Sequence, residues 1–195
     1  MNDFALWFST GLEHIADWKA YDHILFLLAL CGVYEWRQWK SLLLLVTAFT
    51  LGHSLTLALS VLDVIHPHTA WVEFLIPVTI LITCVYNLWR LDKIPAGRLA
   101  PNYFLALFFG LVHGMGFSFL LKSLLGSEEN VTVPLLAFNL GLEAGQILIV
   151  AGVLSFSLFL TAIFRVSSRS RNFFISSAVF GVAFLMALER AAALF

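Results

Sequence analysis

Six long apolar runs leave this chain few ways to fold. They cover approximately residues 20–36, 40–64, 70–90, 102–122, 134–164 and 173–194. A helix needs about 20 predominantly apolar residues to cross a hydrocarbon core of about 30 Å. Within lipid, only a helix or a closed barrel satisfies every backbone amide. Charged residues are 12% of the 195, about half their share in soluble domains. The runs therefore predict an all-α polytopic membrane helix bundle of about six transmembrane helices, a single integral membrane domain over residues 1–195. Residues 4–16 are too few and too mixed in polarity to span, and they predict an interfacial or re-entrant helix at the N-terminus. Cys31 and Cys84 sit inside apolar runs, where a thiol behaves as a small hydrophobe. A net charge of −1 argues against nucleic acid as a partner. The opening Met1-Asn2-Asp3 lacks the basic region of a cleavable leader.

Orientation follows from lysine and arginine, which favour cytoplasmic connections. Arg37 and Lys40 lie between the first and second runs, Arg90, Lys93 and Arg98 between the third and fourth, and Arg165, Arg169 and Arg171 between the fifth and sixth. These are eight of the eleven basic residues, all on alternate connections. The other side has Lys19, Lys122 and Arg190 beside Asp3, Glu13, Asp17, Glu128 and Glu129. Turn-forming stretches, His66-Pro67-His68 and Ile94-Pro95-Ala96-Gly97, separate the runs. Both termini are thus expected on the extracytoplasmic side of a bacterial inner membrane.

In so apolar a chain the ionisable residues carry the information, because an acid at mid-depth costs roughly 2.5–3.5 kcal/mol. His14 precedes an adjacent pair, Asp22-His23, where the chain turns from mixed polarity to apolar. At about 1.5 Å per helical residue, Asp22 and His23 are expected within a turn of the outer surface, and Glu73 equally shallow. His53 falls roughly 20 Å from the inner edge, Glu143 about 14 Å below the outer one, and His113 near the middle of its span. They describe a funnel from outside to mid-membrane, above an inner half holding Asn87, Thr47 and little else. Asn139, Glu143 and Gln146 share one helix face, and Thr50, His53, Ser54 and Leu57 form a comparable stripe. Gly110, Gly114 and Ser118 make a small-residue ridge, as do Gly141 and Gly145, and such ridges let helices approach closely. Each feature has a plainer reading: ridges serve packing, Asp22 caps a helix, a lone histidine bonds a neighbouring helix, and Ser54 bonds back to its own. Three histidines with three acids at matching depths point instead to a metal or proton site.

Several segments resemble the HupE/UreJ family of small membrane proteins, most closely its second HupE/UreJ-like subgroup. They are Asp22 to Leu28, Thr47 to Leu57, Val72-Glu73, Gly110 to Phe117 and Phe138 to Gln146, in order along the chain. The resemblance implies a link to hydrogenase and urease clusters, and so to metalloenzyme maturation proteins as possible partners. The family's characterised branch is known as nickel or cobalt permeases. Its metal-linked signatures are a histidine followed after five residues by Asp-His, and a His-Gly segment ending in glutamate. Asp22, His23 and His113 match these by motif. His14 matches loosely, since seven residues separate it from Asp22, and His113-Gly114 is followed by Met-Gly-Phe-Ser-Phe with no glutamate.

Two functions fit. The first is a transition-metal permease for Ni, Co or Zn, whose borderline ions imidazole and carboxylate suit. Its metal ligands would be His14, Asp22, His23, His53 and His113, with Glu143 and Glu73 supplying charge and Asn139 and Gln146 orienting them. The alternative is a metal-dependent intramembrane hydrolase or acyltransferase acting on a lipid-type substrate at the outer leaflet. There a zinc-type ion with an open position would activate water, Glu143 or Glu73 would serve as general base, and Ser54 would bind substrate or act as nucleophile. A metal sensor or assembly factor is a third class. For topology, a cysteine introduced at residue 66 should react with an impermeant reagent in intact cells, and cysteines at 38 and 168 only after lysis. Labelling of residue 168 from outside would invert the orientation.

Overall fold

The computed structural model describes residues 3–17, 21–91, 100–126 and 131–194. Lys19, Lys93, Arg98, Glu128, Glu129 and the breaker at Ile94 to Gly97 fall outside the described residues. The elements are α1 (Asp3–Ala16), α2 (Asp22–Gly32), a 3-10 turn (Trp36–Gln38), α3 (Trp39–Val61), α4 (Thr69–Trp89), α5 (Ala100–Leu125), α6 (Thr132–Phe164) and α7 (Ser168–Ala192). Helices α3 to α7 are each long and apolar enough to cross a membrane. The chain is an integral membrane helix bundle.

The first crossing is made in two pieces. Helix α2 has 11 residues, about 16 Å of helix, too little to span alone. Helix α1 supplies the rest by running alongside α6 in the same direction. Trp7 joins Val61 and Leu125, at the ends of α3 and α5, in one apolar cluster, while Ile15 packs farther along α6 against Gly145. Helix α1 ends at Ala16, and α2, from Asp22, continues toward the opposite end. Phe26 stacks on Phe49 at 4.9 Å, the Ala29 carbonyl accepts from Asn87 at 2.7 Å, and the Tyr34 carbonyl accepts from Arg171 at 3.4 Å. The segment expected to lie in the interface is thus the first half of a discontinuous crossing, with residues 22–32 as its second half. Glycine is the reason. A Cβ on Gly11 would collide with the Phe138 carbonyl, and one on Gly141 with the Phe8 carbonyl. Both helices therefore meet backbone to backbone, and dispersion contacts hold α1 upright against α6.

Helices α3 and α5 use the same device. Gly52 lies on the Leu107 carbonyl, Gly110 on that of Phe49 and Gly114 on that of His53, each too close to admit a Cβ. Thr56 then donates to the Leu111 carbonyl at 2.8 Å. Helix α7 packs antiparallel to α4. Asn87 reaches Ser176 near one end of the pair, and Arg190 reaches Glu73 near the other. Pro77 lies inside α4 and has no N–H to give the carbonyl four residues back. That carbonyl belongs to Glu73, and the Arg190 guanidinium donates to it at 3.5 Å.

Two ends can be distinguished. One holds the 3-10 turn, Arg37, Arg90 and the start of α7, tied together where Ser168 donates to Glu35 at 2.7 Å. At the other, Lys122 of α5 pairs with Asp63 of the α3–α4 turn. The ammonium holds the Asp63 carboxyl below its ordinary range, so this clasp stays ionised at neutral pH. Exposed Trp71 and Trp89 flank α4 about 27 Å apart, like the aromatic belts at the two faces of a bilayer. Gly110→Ala should destabilise the protein by about 1–3 kcal/mol, as overpacking does. Gly181→Ala, at a position with open space around it, should not. Equal melting temperatures for the two variants in detergent would refute the close-contact account.

Candidate metal centre

Four histidines from four helices converge beside the break in the first crossing. His14 ends α1, His23 opens α2, His53 projects from α3 and His113 from α5. One ring nitrogen from each of His14, His23 and His53 lies within 4.8 Å of the other two. Metal–nitrogen bonds of about 2.0–2.1 Å set paired ligand atoms roughly 3–4 Å apart, so a contraction of about an ångström would close this triad on an ion. His113 stands against the same cluster, its ring centroid 5.1 Å from that of His23. Rings enclose the group: Phe117 lies 3.8 Å from His14, and Phe49 lies 5.2 Å from His113. His53 is completely buried, and His23 and His113 nearly so.

Hydrogen bonds decide which nitrogens are free. The Asp22 carboxylate oxygen accepts from the His23 backbone N–H at 2.8 Å and from His23 Nδ1 at 2.9 Å. The proton is thereby held on Nδ1, and Nε2 is left with a bare lone pair. Thr79 gives its one hydroxyl proton to the Ile76 carbonyl at 2.7 Å. It can therefore only accept from His113 Nε2, 3.3 Å away, which leaves His113 Nδ1 bare. Among the described residues, His14 Nε2, His23 Nε2, His113 Nδ1 and both nitrogens of His53 are buried with no partner. An unsatisfied buried polar group costs on the order of 1–3 kcal/mol. Five such atoms on four neighbouring rings, with one nitrogen each from His14, His23 and His53 brought together, suit a cation site better than packing alone.

The depth differs from the sequence expectation. Thr79 is about 12 Å below Trp71 along α4, close to midway between the two tryptophans, and His113 bonds it. Asp22 and His23 therefore lie about halfway along the length of α4 and not near its Trp71 end, because α1 takes up the first half of the crossing. Glu143 accepts from Thr47 at 2.7 Å, and Gln146 accepts from Thr50 at 2.7 Å. Both acceptors belong to α6, and Thr50 is one turn of α3 from His53. Asn139 donates to the Leu135 carbonyl at 2.8 Å. Asn139 Oδ1 and Gln146 Nε2 are buried without partners. Ser54 donates to the Thr50 carbonyl at 2.7 Å, so its hydroxyl proton is given to its own helix. Glu73 is not brought to the histidines: its carboxylate pairs with Arg190 at 3.5 Å on a half-exposed surface.

Sequence reasoning missed Thr79, which selects the His113 tautomer. It also missed much of the polar content of the other half of the bundle. Thr79, Thr83 and Asn87 are buried at four-residue intervals along α4, one stripe on one face. Asn87 donates to Ser176 at 3.3 Å, and Ser176 to Asn172 at 2.9 Å, leading to buried Arg171. The even spacing along α4 was the available signal.

The fold and site together define a polytopic helical membrane protein with a buried polyhistidine centre at the break of a discontinuous helix. A family model described as HupE / UreJ protein matches residues 1–191, and the chain belongs to the HupE/UreJ family. No curated protein and no solved structure matches it. If these nitrogens take a transition metal, Asp22→Asn should weaken binding about 10–100-fold, as loss of a carboxylate behind a ligating histidine does. His53→Ala should weaken it more, and His66→Ala, on the exposed turn, should leave it unchanged. Equal metal content in all three purified variants would show that the histidines only pack.

Proposed function

We propose that this protein is a nickel- or cobalt-type transition-metal permease, with His14, His23, His53 and His113 as its midway station. The observation that carries the reading is the convergence of unpartnered, buried imidazole nitrogens at a helix break near the bilayer midplane. Transporters build their sites at midplane from discontinuous helices, whereas an enzyme acting on outer-leaflet headgroups needs its centre near the interface. Ser54, committed to the Thr50 carbonyl, and Glu73, committed to Arg190, also lend the enzymatic alternative no support. Imidazole nitrogen suits Ni²⁺, Zn²⁺ and Cu²⁺ in preference to Mg²⁺ or Ca²⁺. Asp22 engages Nδ1 of His23 and leaves its Nε2 without a partner, and Thr79 engages Nε2 of His113 and leaves its Nδ1 without one.

The passage has polar groups on the side away from α1. Cargo leaving the histidines would meet Thr79, Thr83 and Asn87, then Ser176 and Asn172, toward the arginine-rich end. By the distribution of basic residues that end faces the cytoplasm, where a metalloenzyme maturation protein is the natural recipient. Glu143, bonded to Thr47, supplies a carboxylate about two turns of α3 from His53.

Proteoliposomes loaded with a metal-sensitive dye provide the test. The wild type should accumulate Ni²⁺ or Co²⁺, and His53→Ala should lose both binding and uptake. Thr83→Val keeps the shape of the residue and removes its hydroxyl; it should slow uptake while leaving equilibrium binding unchanged. A wild-type protein that binds metal tightly and passes none would overturn the permease in favour of a sensor or enzyme.

A further inference from the structure

Helices α6 and α7 are consecutive in sequence but do not pack together. Arg165 ends α6 in the left-handed conformation, with φ 54°, and α7 leans on α4 and α2. The two helices therefore enclose a crevice of about 1080 Å³ at the arginine-rich end, at the upper limit of the roughly 300–1,000 Å³ usual for ligand pockets. Leu28 of α2 forms its floor, and Gly152, Phe156 and Phe174 form its walls. Phe156 and Phe174 are exposed, and Gly152 has open space where a Cβ would stand. At one end the apolar lining gives way to Arg169, Ser170 and Arg171, on the first turn of α7. Among the described residues that line the crevice there is no acid. The nearest carboxylate, Glu35, accepts from Ser168 outside it.

We propose that this crevice is a binding site for an anionic phospholipid of the leaflet at the arginine-rich end. In a bilayer a lateral gap of this size fills with acyl chain. Its own chemistry favours one headgroup class: two guanidinium groups and the positive end of the α7 dipole face the same rim. Arg171 is braced by Thr161 at 3.3 Å and Tyr34 at 3.4 Å, so its charge is fixed in place, while exposed Arg169 lies beside it. The lipid would bridge α6 to α7 and couple the helix bearing Glu143 to the helix bearing Ser176. This inference uses only the span of the bundle and is independent of the metal reading.

The test uses the full chain in detergent, followed by native mass spectrometry and thermal melting. Phosphatidylglycerol and phosphatidylcholine with identical acyl chains are compared, with inorganic phosphate as a third arm. Phosphatidylglycerol should be retained and raise the melting temperature, and phosphatidylcholine should do so far less. Arg169→Gln should weaken phosphatidylglycerol binding about fivefold, given about 1 kcal/mol per basic residue at a membrane surface, without changing phosphatidylcholine retention. Gly152→Leu, which puts a side chain into the open crevice, should displace phosphatidylglycerol while the empty protein melts at the wild-type temperature. Equal retention of both lipids would overturn the proposal, as would stabilisation by phosphate alone. A dimer that dissociates on Gly152→Leu would show that a second copy of the chain fills the crevice instead.

Discussion

The hydrogen bond from His23 to Asp22 is the interaction on which the centre of this molecule depends. It joins neighbouring residues at the first turn of α2, where backbone N–H groups lack partners of their own. In lipid, an interrupted helix is tolerated only where the freed polar groups face protein or a cavity. The Asp22 carboxylate meets that condition by accepting from both the His23 backbone and its ring. The same contact occupies Nδ1 and leaves the other ring nitrogen buried without a partner, beside the rings of His14 and His113. Stabilising the start of α2 and orienting the His23 ring are here one event, made possible by two adjacent side chains.

What surrounds that pair is set by glycine. Gly52, Gly110 and Gly114 bring the backbones of α3 and α5 into contact, and so bring His53 and His113 within reach of each other across the interface. Gly11 and Gly141 do the same for α1 and α6, without which His14 would stand off from the cluster. Lipid offers apolar helices no hydrophobic reason to associate, so close backbone approach and interhelical hydrogen bonds must do it. The bonds here are Thr56 to Leu111, Thr47 to Glu143 and Thr50 to Gln146, each crossing between helices near the histidines. Packing and site are consequently built from the same residues.

The helical spans and their order were legible in the sequence, because apolar run length is a strong signal in lipid; His23, His53 and His113 were expected to share one place, and the ring of His23 lies 6.1 Å from that of His53 and 5.1 Å from that of His113. The depth of Asp22 and His23 was not legible. It was counted from the start of an apolar run, and the run begins at a break in the middle of the crossing. Residues 4–16 look interfacial because Glu13 and His14 interrupt their apolar face; only the pairing of Gly11 with Gly141 shows that α6 takes up that face. Thr79 and Ser176 escaped notice for a different reason. A single hydroxyl in a membrane helix commonly bonds back to its own carbonyls, as Thr79 does to Ile76. What its oxygen accepts from another helix is a tertiary fact.

Charge limits what the histidines could hold. Neutral imidazoles can coordinate a divalent ion but cannot neutralise it, and an uncompensated charge in the low-dielectric interior is costly. Two carboxylates lie nearby at different depths: Asp22 beside His23, and Glu143 on α6, which accepts from Thr47, about two turns of α3 from His53. The arrangement is asymmetric. Asp22 is fixed to His23 through its backbone and its ring, whereas Glu143 is held by the hydroxyl of Thr47. Beyond the histidines, Thr79, Thr83 and Asn87 of α4 and Ser176 and Asn172 of α7 continue toward the arginine-rich end as buried neutral hydroxyls and amides.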